Sequence, residues 1–189
     1  MRNRVQPEVE RYGAPAQLLH WLTALLVLGV FAVGFYMVGL NVSPLRLRLF
    51  SYHKWIGVTV FALALLRLAW RLVAPPPALP ATMPAWERQA AAIGHRLLYL
   101  LVLAVPLSGW LMSSAKGFQT VYLGVLPIPD ALAKNPPLGA ALEAVHWGLN
   151  KMLLAMVCVH IAAALKHQFI DRDGVLLRML PRRQRTGSA

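Results

Sequence analysis

The chain carries one cysteine, Cys158, set inside an apolar run, which excludes an intrachain disulfide framework and any cysteine-ligated iron–sulfur cluster. Charge is also scarce. Only 14% of the 189 residues are charged against 58% hydrophobic, a balance that excludes an ordinary soluble domain and places the chain in the membrane class. The net charge of +12 suggests nucleic acid at first sight. The basic residues, however, sit in short flanks between apolar runs, and no stretch resembles a nucleic-acid-binding module. They read instead as topology signals and contacts to anionic groups. No repeat of solenoid period is visible. The first apolar run is too long for the core of a signal peptide, so the first helix is expected to be retained.

Four apolar stretches reach the roughly 20 helical residues that cross a bilayer core. They run over about 16–40, 50–73, 93–113 and 144–165. Helix is required of each, because a span in lipid must satisfy its own backbone hydrogen bonds. Pro44, the Pro75–Pro77 run, Pro80 and Pro84 punctuate the first two connections. The longest loop, 114–143, is expected to cover one face of the bundle with little regular structure. Residues 171–189 form a basic tail. The fold class expected is an all-α membrane protein, a single-domain four-helix transmembrane bundle over 1–189. Thirteen Lys and Arg fall on the side of the two termini and the second connection: Arg2, Arg4, Arg11, Arg67, Arg71, Arg88, Arg96, Lys166, Arg172, Arg178, Arg182, Arg183 and Arg185. Arg46, Arg48, Lys54, Lys116 and Lys134 fall on the other, with Lys151 as a sixth. The excess predicts cytoplasmic termini.

All six histidines, His20, His53, His95, His146, His160 and His167, lie in or at the ends of these helices. An ionisable residue at membrane depth is costly, and such residues mark function by default, although each imidazole taken alone could simply bond a neighbouring helix. Their joint arrangement says more. His146 and His160 are fourteen residues apart, roughly 21 Å along a helix and nearly the same angular position. Given the up-down order of the spans, His146 faces His53 on the outer side and His160 faces His20 on the inner side. Two imidazoles from different helices at each of two depths match the needs of two six-coordinate haems. A zinc site would instead draw three or four ligands to one point.

The same interval recurs. Gly34 follows His20, Gly109 follows His95 and Arg67 follows His53 by fourteen residues, and Gly57 lies one turn from His53. The glycines fit haem clearance or ordinary close helix packing. Arg67 fits a haem propionate or snorkelling to headgroups. His167, two turns beyond His160, suits a propionate or quinone carbonyl, or an interfacial helix end.

With these residues in place, the chain resembles the bacterial cytochrome b561 family over nearly its whole length. The carrying segments are Gln17–Trp21, His53–Gly57 running on to Arg67–Arg71, and Gly94-His95 with Pro106 and Gly109. Glu143–His146, His160–His167, Leu176–Met179 and the basic tail complete them. The resemblance implies iron ligation of two haem b groups by His20, His53, His146 and His160, with His95 and His167 not axial ligands. It further implies electron transport across a bacterial inner membrane within a respiratory chain, involving ubiquinone or another quinone. Some members resemble superoxide oxidases, so a quinone-linked oxidoreductase with a small anionic electron donor is the leading expectation. Arg46, Arg48 and Lys54 would steer such a donor, or else anchor headgroups. The alternative is a haem-bearing membrane anchor that relays electrons for a partner dehydrogenase or hydrogenase. A haem-free transporter using histidines as proton relays is the reading from another class.

Overall fold

The computed structural model describes residues 10–80 and 82–181. Arg2, Arg4, Arg182, Arg183 and Arg185, used above for orientation, lie outside the described residues. Four long helices account for most of the fold: α1 (Ala14–Val38), α2 (Pro44–Val73), α3 (Ala85–Ala115) and α4 (Pro136–Lys166). All four are long and apolar enough to cross a membrane. Their apolar side chains mostly face outward, as lipid-facing surfaces do; Leu18 and Leu25 of α1, for example, are 67% and 68% exposed.

Three helices start well before the expected spans. Pro44 and Pro136 occupy the first helical turn, where a missing N–H costs nothing, and each follows a capping side chain. The Ser43 hydroxyl accepts from the Arg46 amide at 3.3 Å, and the Asn135 carbonyl accepts from the Leu138 amide at 3.1 Å. At about 1.5 Å per residue, helices of 30 and 31 residues exceed a hydrocarbon core of about 30 Å. Their first two turns carry Arg46 and Arg48 in α2 and Glu87 and Arg88 in α3, which is why hydropathy did not mark them.

The loop expected to lack regular structure holds an antiparallel hairpin, β1 (Thr120–Tyr122) paired with β2 (Leu126–Ile128). Leu123 and Gly124 make its turn with φ of 52° and 74°. The left-handed backbone is free of strain at the glycine and costly at the leucine. The hairpin is pinned to the helices. Trp55 Nε1 donates to the Val121 carbonyl at 2.7 Å, Lys54 Nζ to the Phe118 carbonyl at 2.8 Å, and Trp110 Nε1 to the Pro129 carbonyl at 3.2 Å.

In the bundle α3 packs on α4 and α1 on α2, with α2 against α3 joining the two pairs. A thin core of Val27, Val60, Ala64, Leu101 and Leu153 lies between them. Beyond α4 the chain makes a π turn (His167–Asp171), then a short 3-10 helix (Leu176–Met179) that returns to the start of α1. Gln17 Nε2 donates to the carbonyls of Arg178 and Leu180, each at 3.2 Å, and Trp21 Nε1 to that of Met179 at 2.7 Å. The stretch Arg178–Leu180 is therefore bonded to the start of α1, while the basic run from Arg182 onward lies outside the described residues.

Candidate functional site

The histidines gather at two levels. At one, His53 of α2 and His146 of α4 both line a cavity of about 530 Å³ between the helices. Its walls are mainly apolar, with Val30, Val58, Phe61 and Val105 among them, and Thr120 and Ile128 of the hairpin also contribute. This volume falls within the range of about 300–1,000 Å³ typical of cofactor and ligand pockets.

His146 is held in a defined orientation. Its Nδ1 lies 3.1 Å from the Val105 carbonyl and 2.9 Å from Ser108 Oγ, while Ser108 Oγ itself donates to Val105 O at 2.8 Å. A carbonyl can only accept, so Nδ1 carries the proton and Nε2 keeps its lone pair. That is the tautomer of a metal-binding imidazole, oriented by the hydrogen bond on its other nitrogen. Pro106 lies within α3 beside this cradle, where a proline removes one helical hydrogen bond and bends the axis.

The glycines act on the histidine rings. A Cβ on Gly34 would lie 3.2 Å from His53 Cε1, and one on Gly109 would lie 3.1 Å from His146 Cε1. Each glycine thus clears an imidazole of the neighbouring helix, and both also line the cavity. Gly57 meets no protein atom within 4 Å and lines the cavity.

At the other level, His20 of α1, His160 of α4 and His95 of α3 converge. The His20 and His160 ring centroids are 6.3 Å apart, and those of His95 and His160 are 5.5 Å apart. Two metal–imidazole bonds of about 2 Å, each extended by about 1 Å to a ring centre, span about 6 Å. The His20/His160 spacing fits one iron between the rings, and the His95 spacing is short for it. His20 Nδ1 and His53 Nδ1 are buried without a hydrogen-bond partner.

Arg67 lies at this level, within Coulomb range of His20, His95 and His160. Its guanidinium carbon is 5.3 Å from the Tyr99 ring centroid, and that of Arg71 is 5.6 Å from the same ring. Arg71 thus shares the tyrosine with Arg67. Neither arginine makes an ion pair among the described residues, so two forked donors are available to a carboxylate. The donor set and its surroundings fit haem b: paired imidazoles, a mainly apolar pocket, and cations suited to propionates.

Other expectations resolve differently. Lys54 Nζ donates to Phe118 O, and Lys116 pairs with Glu143 at 2.6 Å. His167 turns away from the histidine levels: its Nδ1 lies 2.7 Å from Asp173 and 3.1 Å from Asp171. Lys166 bridges Asp171 and Glu87 beside it, at 2.6 and 3.0 Å. Ser108 and the Arg71–Tyr99 contact were missed from sequence. Neither has a periodic or compositional signal, since a serine or tyrosine on an apolar helix is ordinary.

The profile of the prokaryotic cytochrome b561 family matches residues 11–182. Cytochrome b561 homolog 2 of Escherichia coli (strain K12) is 38% identical over 173 residues, covering 90% of this chain and 92% of that protein. A Yersinia pestis protein named as a probable superoxide oxidase is 30% identical over 177 residues, covering 88% of this chain and 93% of its own length. Cytochrome b562 of Cereibacter sphaeroides is 35% identical over 168 residues, 86% of this chain and 90% of that protein.

Proposed function

The chain belongs to the prokaryotic cytochrome b561 family, a multi-pass membrane cytochrome that binds haem b and transfers electrons, and from that premise we propose that it is a di-haem carrier linking a one-electron donor outside the bacterial inner membrane to the quinone pool. The observation that carries the reading is the arrangement of His53 with His146 and of His20 with His160, each pair drawn from two helices, at levels roughly 21 Å apart along α4. Haem, when bound, supplies a one-electron couple at each level.

The residues do the rest. His53 and His146 hold the outer iron, with Val105 and Ser108 raising the basicity of His146 through its Nδ1–H. His20 and His160 hold the inner iron. Arg67 and Arg71 offset carboxylate charge at that level and favour the reduced state. The hairpin, pinned by Lys54 and Trp55, forms part of the outer cavity's wall through Thr120 and Ile128.

Superoxide is the donor we favour, supported by the similarity to the Yersinia pestis protein so named. Two superoxide ions would each lose one electron to become dioxygen, and one ubiquinone would take two electrons and two protons to become quinol. Both termini would lie in the cytoplasm. A second reading, an electron-relay anchor for a partner dehydrogenase or hydrogenase, draws on the apolar hairpin tip, where Val125 is 81% exposed.

Purification with haem quantification and electron paramagnetic resonance tests the reading. Two low-spin signals are expected per chain. His53→Ala or His146→Ala should remove one, and His20→Ala or His160→Ala the other. Loss of the same signal from His20→Ala and His53→Ala would overturn the pairing. Superoxide-driven quinone reduction by the lone purified chain would exclude the relay-anchor reading, and its absence would exclude the oxidase.

A further inference from the structure

On α2, Arg46, His53, Val60 and Arg67 recur every seven residues. Seven residues make nearly two full turns, so these positions share one face of the helix. Arg46, His53 and Val60 all line the outer cavity, and Arg46 lies about 10 Å from His53 along the axis toward the start of α2. Its Nε is buried and has no hydrogen-bond partner. Its guanidinium carbon lies 5.6 Å from the Phe50 ring centroid, a contact that holds the planar group against the helix.

A guanidinium stays charged under all relevant conditions, and a buried N–H on it needs an acceptor. Among the described residues Arg46 Nε has none. Glu143 is the carboxylate lining the cavity, and it is paired with Lys116 at 2.6 Å. Arg46 makes no ion pair among the described residues. An apolar cavity with an orphaned guanidinium nitrogen on its wall is built for a ligand that is apolar in its body and anionic at one edge.

We propose that Arg46 is the anion anchor of the outer cavity and receives a propionate carboxylate of the haem b bound there, as Arg67 serves the inner level. The inference rests on the reading of that cavity as a haem site. The forked donors of Arg46 match a carboxylate, and the pairing cancels one negative charge beside the outer haem. An anionic donor approaching this side then meets less repulsion, so Arg46 serves the donor from within the wall rather than as a surface charge.

The test is a redox titration of the purified holoprotein that resolves both haems, together with infrared redox-difference spectra of the carboxylate region, on Arg46→Gln and Arg46→Lys. Removing a positive charge beside the haem favours the ferric state. Arg46→Gln should shift the outer equilibrium about tenfold toward ferric, about 59 mV lower for a one-electron couple. The inner potential should stay fixed and the propionate band should move. Arg46→Lys should hold most of the potential yet still move the band, because the charge remains and the fork is lost. Two haems present with the outer potential and the carboxylate band unaltered in both variants would make Arg46 a headgroup anchor and overturn the inference. If Arg46→Gln fails to assemble, the Arg46→Lys band decides alone: an unmoved band overturns the inference. A wild-type protein without a haem signal that depends on His53 and His146 would instead overturn the cavity reading itself.

Discussion

Alanine at Gly109 puts the histidine cradle under direct test. The added Cβ would sit 3.1 Å from Cε1 and 3.4 Å from Nδ1 of His146, so the ring must yield by a few tenths of an ångström. It has little freedom to do so, because Nδ1 is held by Ser108 Oγ at 2.9 Å and Val105 O at 3.1 Å. Overpacking of a tight site costs about 1–3 kcal/mol, while replacing glycine by alanine inside a helix returns about 1 kcal/mol. The balance is a loss of up to about 2 kcal/mol, or up to about 30-fold in retention of a cofactor that depends on His146. Two other glycines calibrate the effect. Gly148 meets no atom within 4 Å, so Gly148→Ala should keep full haem content. Gly57 also meets none but lines the cavity, so Gly57→Ala should weaken haem retention without disturbing the protein's own packing. The assay is haem per chain after detergent washing, with the potential of the surviving outer signal. Full outer-haem retention and an unmoved potential in Gly109→Ala would refute the argument that the glycine exists to seat His146.

Three further outcomes are expected. Ser108→Ala removes one of the two acceptors at His146 Nδ1, makes the imidazole a weaker electron donor, and should raise the outer haem's potential at full occupancy; a redox titration reads it. Arg67→Gln removes a cation within Coulomb range of His20 and His160, so the inner potential should fall while the outer stays nearly fixed and donor-to-quinone transfer slows. An unchanged inner potential at full occupancy would reduce Arg67 to a snorkelling residue. His167→Ala breaks the contacts to Asp171 and Asp173, so amide exchange across 167–181 should accelerate by roughly tenfold for a loss of about 1.4 kcal/mol, with haem content unchanged.

Much of this protein was legible before any coordinates. Apolar runs separated by proline and basic residues demand four membrane helices, because lipid offers the backbone no other hydrogen-bonding partner. The fourteen-residue spacing of His146 and His160 sets two levels, since helical geometry is rigid and periodic. The helix ends were misjudged for a physical reason: hydropathy reports only the segment inside lipid. Pro44 and Pro136 look like breaks but begin α2 and α4. The hairpin was missed because strands of three residues carry no usable alternation.

Composition and hydropathy therefore determined the membrane class and the number of spans, residue spacing set the order of the histidines along each helix, and the ordered motifs from Gln17–Trp21 to His160–His167 carried the resemblance to the family. Tertiary structure alone decided which atoms those residues meet. It turned Gly34 and Gly109 toward imidazole rings, gave His146 its tautomer through Val105 and Ser108, set Arg67 and Arg71 on one tyrosine, and bound Lys54 to the hairpin. Depth along a helix follows from residue number, because the rise per residue is constant. Contacts across helices depend on how each helix is rotated and how closely it approaches its neighbours, and those are set by packing among residues distant in the chain.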